Sequence, residues 1–478
     1  MGLLGLTATG ICSMMGAAIN VVPIMIQRNV PGIGPYVIPA YMLAAVPAVL
    51  AAMAYAILGS AMPRAGGSYI YASRGLNPYL GFVASFSQWF GLSIAIGVVS
   101  YVMIPFIRDI LSAVGWDGMA QSLDEGPVRV TLSLVFLWFF VFINIRGIQT
   151  YERTLIPLMF LMFALGSVVI IAGFSFDHED FALATSVSFS GDSPPLRTSL
   201  MLPAAAVLFS TFIGFDSIAQ AGGEARNPAR NLPLATGMAV LIVGSFYMLF
   251  TAAVYHAVPW SYIAENAQMR DLTAPGLLGT LLSPGWTVTI VAGAAVALIN
   301  DLPAMLLAVS RLMFAWAEDG IFPSNVATVS RRWHTPHLAI VLSGVMATVG
   351  ILGSHMAGDF FLGVDILVTS MLVNFLLMCV TVLTLPKHNP QIAAGVKVFS
   401  SSKIQIPLAA AGVAILSLFL TVHIWKDLSS PAEAWYLHST VIWAIVLTMA
   451  SLIYFRELAK LHRKGIDVKK LFSTLPPE

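Results

Sequence analysis

The run SLMLPAAAVLFSTFIGFDSIAQAGG at 199–223 is apolar and long enough to cross a bilayer, yet its middle carries Ser210, Thr211, Gly214 and Asp216. A charged side chain at bilayer depth costs at least about 2.5 kcal/mol on insertion scales. A glycine there weakens the helix by about 1 kcal/mol. A helix that serves only as an anchor needs neither. Irregular backbone survives at that depth where protein or a water-filled cavity receives the freed N–H and C=O groups. Residues 212–216 (FIGFD) therefore read as a helix break facing a polar cavity. The chemistry open to such a break is binding: carbonyls hold an ammonium, and a carboxylate holds a cation or a proton. The competing reading is a glycine at tight helix packing and an aspartate paired inside the bundle.

Two other stretches carry the same kind of signal. The run LLGLTATGICSMMGAAINVVPIMIQ at 3–27 is interrupted by Gly10, Gly16 and Pro23. At Gly16, Ala17 and Ala18 the side chains are small, so backbone N–H groups can approach a ligand. A half-helix starting there aims its positive end at an anion such as a carboxylate. A packing face of small residues is the alternative. In the run 285–314, Asp301 lies near the bilayer midplane, and Ala297, Asn300 and Asp301 share one helical face. A lone buried carboxylate there holds a cation or, without one, a proton, because desolvation disfavours its charged form. A structural aspartate, capping a neighbouring helix or paired with Asn300 ahead of Pro303, is the other reading.

The elements that must position these residues follow from composition. Of 478 residues 58% are hydrophobic and only 10% charged, against about 25% charged in soluble domains. Each span needs about 20 apolar residues. Twelve stretches qualify, at about 3–27, 34–61, 79–112, 128–146, 153–174, 199–222, 233–256, 286–317, 337–354, 360–384, 405–425 and 436–456. The expected fold is an all-α polytopic membrane protein embedded in the lipid bilayer. With the N-terminus inside, only Arg28, Arg108, Arg129, Arg197, Arg270 and Lys426 of the 24 Lys and Arg fall outside. That bias places both termini in the cytoplasm, in a plasma or inner membrane. The interrupted first and sixth spans stand at corresponding positions of two halves with opposite starting sides. This is the pattern of an inverted-repeat transporter with its site at the midplane.

Other function classes find little support. The histidines fall in loops or at span ends, and Cys12 and Cys379 lie inside spans. No buried nucleophile or metal set is expected, so an intramembrane enzyme is disfavoured, and neither catalytic nor metal-binding residues are assigned. No phosphate loop supports an ATP-driven pump, and no organic cofactor is expected. A net charge of +1 gives no sign of a nucleic acid partner. The start of the chain lacks a basic n-region and merges into a full span, so a cleavable signal peptide is not expected. Between spans, residues 63–82 read as a loop with a brief interfacial helix, and Tyr69 and Tyr71 as interfacial anchors. Residues 257–285 read as short lid helices. Glu224 with Arg226 and Arg230, and Glu318–Asp319 with Arg331–Arg332, read as ion pairs of the inner face. Residues 385–404 form a cytoplasmic linker, 405–457 two peripheral spans, and 458–478 a polar, partly disordered cytoplasmic tail.

Four motifs bring the chain close to a known family: GICSMMGAAINVVP (10–23), PRAGGSYIYASRGLNP (63–78), FIGFDSIAQAGGEARNPARNLP (212–233), and SRLMFAWAEDGIFP (310–323) followed by HTPHLAI (334–340). With them the chain resembles the amino acid–polyamine–organocation (APC) superfamily, in its amino acid permease branch. The resemblance implies a LeuT-type 5+5 inverted repeat (1–174 and 199–384) with two extra helices. Spans 1, 2, 6 and 7 would form a moving bundle, and spans 3, 4, 8 and 9 a scaffold. It places a substrate carboxylate on the backbone of Gly16, Ala17 and Ala18, and an amine at carbonyls around Ser210, Thr211 and Ile213. Met14 and Met305 match positions that line the side-chain pocket, and Asp216 an acidic position linked to proton sensing. The carbonyls of Cys12 and Met15, with Ala297, Asn300 and Asp301, match the surroundings of a coupling cation, Na⁺ or H⁺.

The departures are as informative. Gly-Ala-Ala replaces the usual Gly-Ser-Gly of span 1, and Ile57 stands where span 2 often has a glutamate. Ser210 replaces an aromatic gate, leaving Phe209, Phe212 or Phe215 as lids. Met162 replaces the lysine of some proton-coupled members, so Asp301 becomes the candidate coupling residue. The resemblance implies a monomer or homodimer that carries an amino acid or amine. An uncoupled exchanger and a non-transporting sensor or channel of the same fold are the alternatives.

Overall fold

In the computed structural model, prolines open several spans at the first helical turn, where a missing N–H costs nothing: Pro78, Pro228 and Pro284. Asn77 caps the first of these, its Oδ1 accepting from the Tyr79 N–H at 2.9 Å. Residues 1–64, 66–146, 151–187, 197–333, 335–358, 360–431 and 434–476 are described, with the backbone alone at Ala17, 151–154, Glu224 and Ile299. All regular structure among them is helical. Twelve helices are long and apolar enough to span a membrane. They are span 1 (Leu3–Asn29), 2 (Gly34–Ala61), 3 (Pro78–Ala113), 4 (Gly126–Arg146), 5 (Leu155–Ser175), 6 (Thr198–Gln220), 7 (Pro228–Ala257), 8 (Pro284–Glu318), 9 (His337–Met356), 10 (Phe361–His388), 11 (Ser402–Ser429) and 12 (Ser439–Arg463). The chain is an integral membrane protein.

Packing separates the spans into groups. Span 3 runs against spans 8, 9 and 10, and span 4 against span 9. Span 2 lies on span 7, the first half of span 1 on span 7, and the first half of span 6 on span 2. Within their apolar windows, spans 1 and 3 are 94% buried, against 28% for spans 4, 5 and 11 and 22% for span 12. Spans 3 and 8 are continuous helices of 36 and 35 residues. At 1.5 Å per residue each exceeds the ~30 Å of hydrocarbon.

Span 1 breaks once, between Leu3–Met14 and Ala17–Asn29. Gly10 and Pro23, expected to interrupt it as well, lie inside its two helices. Gly10 is there for packing: a Cβ on it would press on the Ile218 side chain at 2.5 Å. Span 6 is α-helical over Thr198–Leu208, tightens to a 3₁₀ turn at Phe209–Phe212, and passes through extended Ile213 to Gly214 at φ +133. It resumes as the short helix Ser217–Gln220.

The face rich in Lys and Arg differs from expectation. The short helix Gly67–Gly75 forms as predicted, but Tyr69 and Tyr71 are fully buried rather than interfacial. Tyr69 donates to Asp319 Oδ2 at 2.5 Å, and Arg74 Nη1 meets the same oxygen at 2.7 Å. Asp319 thus pairs with Arg74 and not with Arg331–Arg332, which are exposed, the Arg332 guanidinium resting on the Trp333 ring. Burial opposes the Arg74 charge, but the hydrogen bond and field of Asp319 outweigh it and hold the guanidinium pKa above its ordinary value. The proposed partner Glu224 has its side chain outside the described residues, as does all of His334.

The tail is also more ordered than expected. Its helix Val468–Ser473 docks beneath Arg74, with Phe472 buried 5.0 Å from the guanidinium. The Thr474 carbonyl accepts from Arg74 Nε at 3.3 Å, and the Ser473 carbonyl from Asn389 Nδ2 at 2.9 Å. A polar composition concealed one apolar anchor. The segment 257–285 forms short helices, as expected, at Trp260–Asn266 and Ala274–Leu278.

Candidate functional site

The two breaks meet. Gly214 is so close to span 1 that a Cβ on it would collide with the Ser13 carbonyl, and its positive φ also requires glycine. Gly16 is needed for a different reason. It caps the half-helix Ala17–Asn29, and a Cβ on it would run into the Asp301 carboxylate of span 8. Met14, Met15, Gly16, Ser210, Thr211, Ile213, Gly214, Asn300 and Asp301 are therefore brought to one buried junction of spans 1, 6 and 8.

Each break frees backbone groups, and their fates differ. At the span 1 break the Met15 N–H keeps its helical partner, the Ile11 carbonyl, at 2.8 Å. The Gly16 N–H turns to the Met14 carbonyl at 3.0 Å, leaving the Cys12 carbonyl without its helical donor. The Met14 carbonyl also accepts from the Tyr247 hydroxyl of span 7. In span 6 the Ile213 N–H takes up the Ser210 carbonyl at 3.2 Å. Among the described residues no donor reaches the carbonyls of Thr211 and Ile213. Buried peptide groups are ordinarily paired, so these two carbonyls are candidates for contact with a ligand.

Side chains around the junction fall into satisfied and unsatisfied sets. Asp216 is satisfied: Gln88 donates to Oδ2, and the Gly214 N–H to Oδ1 at 3.1 Å. Gln88 in turn accepts from Ser68. Asp216 thus braces the break from within the protein. Thr211 is likewise engaged, 2.5 Å from the Tyr41 hydroxyl and donating to the Leu208 carbonyl at 2.8 Å. By contrast, the hydroxyls of Ser13 and Ser210 and Oδ1 of Asp301 have no hydrogen-bond partner among the described residues. Asp301 is 5% exposed. The Cys12 thiol lies between the Leu155 carbonyl (3.9 Å) and Asn300, and Asn300 Nδ2 points to Met162 Sδ at 3.6 Å. Ala297 and Met305 are buried on the same span.

A cavity of about 60 Å³ opens beside the junction, lined by Ala18, Val98, Ser210, Phe360, Gly363 and Val364 among others. That is room for roughly two waters, so a larger ligand requires the spans to part. Buried or half-buried ion pairs bridge the spans at two places. One is Arg74–Asp319. At the other, Asp271, in the loop between spans 7 and 8, bridges Arg28 of span 1 (3.0 Å) and Arg129 of span 4 (2.7 Å). The candidate lids Phe209, Phe212 and Phe215 are all buried, Phe212 edge-on to Tyr41 at 5.6 Å and Phe215 stacked on Phe375 at 5.0 Å.

Sequence reasoning missed Gln88, Tyr41 and Tyr247. The signal was present: a glutamine in mid-span 3 and tyrosines in spans 2 and 7 must find partners for their polar atoms when buried.

Several known proteins are similar to this chain in sequence. The amino acid permease family profile covers residues 1–451. The methylthioribose transporter of Bacillus subtilis is 25% identical over 96% of this chain and 94% of its own length. The branched-chain amino acid permease BcaP of the same organism is 24% identical over 97% and 94%. The low-affinity putrescine importer PlaP of Escherichia coli is 23% identical over 70% and 69%. With two facing helix breaks on a twelve-span frame and a profile that spans nearly its whole length, the chain belongs to the amino acid permease family of the APC superfamily.

Proposed function

We propose that this protein is a secondary transporter that carries an amino acid or a related amine across the membrane by alternating access. The cargo binds where the breaks of spans 1 and 6 meet. The observation that carries the reading is a group of polar atoms at that junction with no partner among the described residues: the Thr211 and Ile213 carbonyls, the Ser13 and Ser210 hydroxyls, and Oδ1 of Asp301. Buried polar groups are ordinarily paired, and a ligand supplies the pairing. The relatives are named for small solutes (methylthioribose, branched-chain amino acids, putrescine), as a pocket of this kind requires.

The first five and second five spans act as inverted repeats, 1–174 and 199–384, with both termini cytoplasmic. Asp301, with Asn300 and the carbonyls of Cys12 and Met15, is the seat of a coupling H⁺ or Na⁺. Breaking in turn the Arg74–Asp319 pair on one side and the Asp271 pairs with Arg28 and Arg129 on the other alternates access between the faces. The test is uptake of labelled amino acids and amines into proteoliposomes, with Na⁺ and pH gradients imposed separately. The expected result is saturable accumulation against a gradient. Flux that neither saturates nor concentrates, for any amino acid or amine, removes the carrier reading.

A further inference from the structure

The position of Asp301 bears on the chemical class of the cargo. Span 1 restarts as a half-helix of 13 residues capped by Gly16. Its first N–H groups and its dipole favour an anion. Span 8 delivers a carboxylate to that very end, since Asp301 packs on Gly16 with no space for a methyl group between them. The side chain is 5% exposed, and Oδ1 has no partner. Among the described residues no Lys, Arg or His forms an ion pair with it. A buried charge is kept where it is paired; here the partner has to come from outside the protein.

We propose that Asp301 sets the protein's own carboxylate against Gly16, in the space a cargo carboxylate would need, so that the cargo is a cationic amine lacking a carboxylate, its ammonium paired with Asp301. The proposal rests on the carrier reading above and narrows it. A zwitterion would bring its carboxylate to Gly16, directly beside a like charge, which disfavours it. The remaining free groups agree. The Thr211 and Ile213 carbonyls accept from the other N–H bonds of an ammonium and offer nothing to a carboxylate. The rings of Tyr41, Phe212 and Tyr247 lie with centroids 5.6 to 6.2 Å apart beside the same break, and aromatic faces attract cations. The valine and phenylalanine walls of the small cavity suit the alkyl or aryl part of such an amine. In the cargo-free half of the cycle the same carboxylate remains available to H⁺ or Na⁺.

The experiment compares pairs that differ only in the α-carboxylate: isoamylamine with leucine, putrescine with ornithine, agmatine with arginine. Binding is read by thermal shift on the purified full-length protein, and uptake in proteoliposomes. For the tightest-binding pair the amine should bind at least about tenfold better than its amino acid, about 1.4 kcal/mol. Asp301→Asn should abolish that preference and Asp301→Glu retain it; the wild-type comparison decides even where a variant does not fold. Saturable uptake in which the amino acid equals or exceeds its amine overturns this proposal and leaves the carrier reading standing. No binding and no uptake by any of the six compounds overturns this proposal, whereas the carrier reading falls only if the wider set of amino acids and amines also gives no saturable, concentrative flux.

Discussion

The Arg74 guanidinium and the Asp319 carboxylate meet at 2.7 Å with side chains 1% and 8% exposed, joining the helix Gly67–Gly75 to the end of span 8. Removing one partner of a buried ion pair strands the other, at a cost of about 3–5 kcal/mol. Arg74→Met should therefore lower the thermal unfolding temperature in detergent markedly, and Arg74→Met with Asp319→Leu should recover part of the loss. A single variant as stable as wild type would show that the pair carries no such weight.

The tail rests on that pair through Phe472 and the Thr474 carbonyl. A cation–π contact of this kind is worth about 0.5–1 kcal/mol. If it holds the face shut, Phe472→Ala or deletion of 468–478 should raise the initial uptake rate about two- to fivefold at saturating cargo, with apparent affinity unchanged. A rate equal to or below wild type contradicts that role.

Gly16 and Asp301 should be energetically coupled. Gly16→Ala forces a methyl group onto the carboxylate, so its loss of stability should shrink in an Asp301→Ala background. Contacting residues show interaction energies of about 0.5–3 kcal/mol. Additive effects in a thermal-unfolding cycle would separate the two. Gly214→Ala, which meets backbone and a positive φ, should find no such relief.

Gln88 donates to Asp216 and accepts from Ser68. Gln88→Leu leaves a buried carboxylate short of a donor, a loss of about 1–3 kcal/mol. It should reduce both stability and cargo affinity, because Asp216 also fixes the Gly214 N–H. Wild-type affinity in a folded Gln88→Leu protein would make the clasp dispensable.

The twelve spans and the span 6 break were legible because hydropathy and a mid-bilayer Gly–Asp pair leave few alternatives. The span 1 break was less so. Gly10, Gly16 and Pro23 all weaken a helix, and only the neighbours, Ile218 for Gly10 and Asp301 for Gly16, tell packing from breaking. Partner choice was not legible at all. Asp319 shares its face with Arg74, Arg331 and Arg332, and composition does not say which is buried beside it. Tyrosines near span ends fit an interface as well as a buried hydroxyl donor, which is how Tyr69 was misplaced.

Arg74 and Thr474 touch although 400 residues separate them along the chain. At synthesis rates of about 5–20 residues per second, roughly 20–80 s pass between their emergence from the ribosome. Throughout that interval the guanidinium already inserted near the membrane lacks its cover. The tail's contacts with Arg74 are therefore added only after residue 474 has been made, well after Asp319 has become available to pair with the guanidinium.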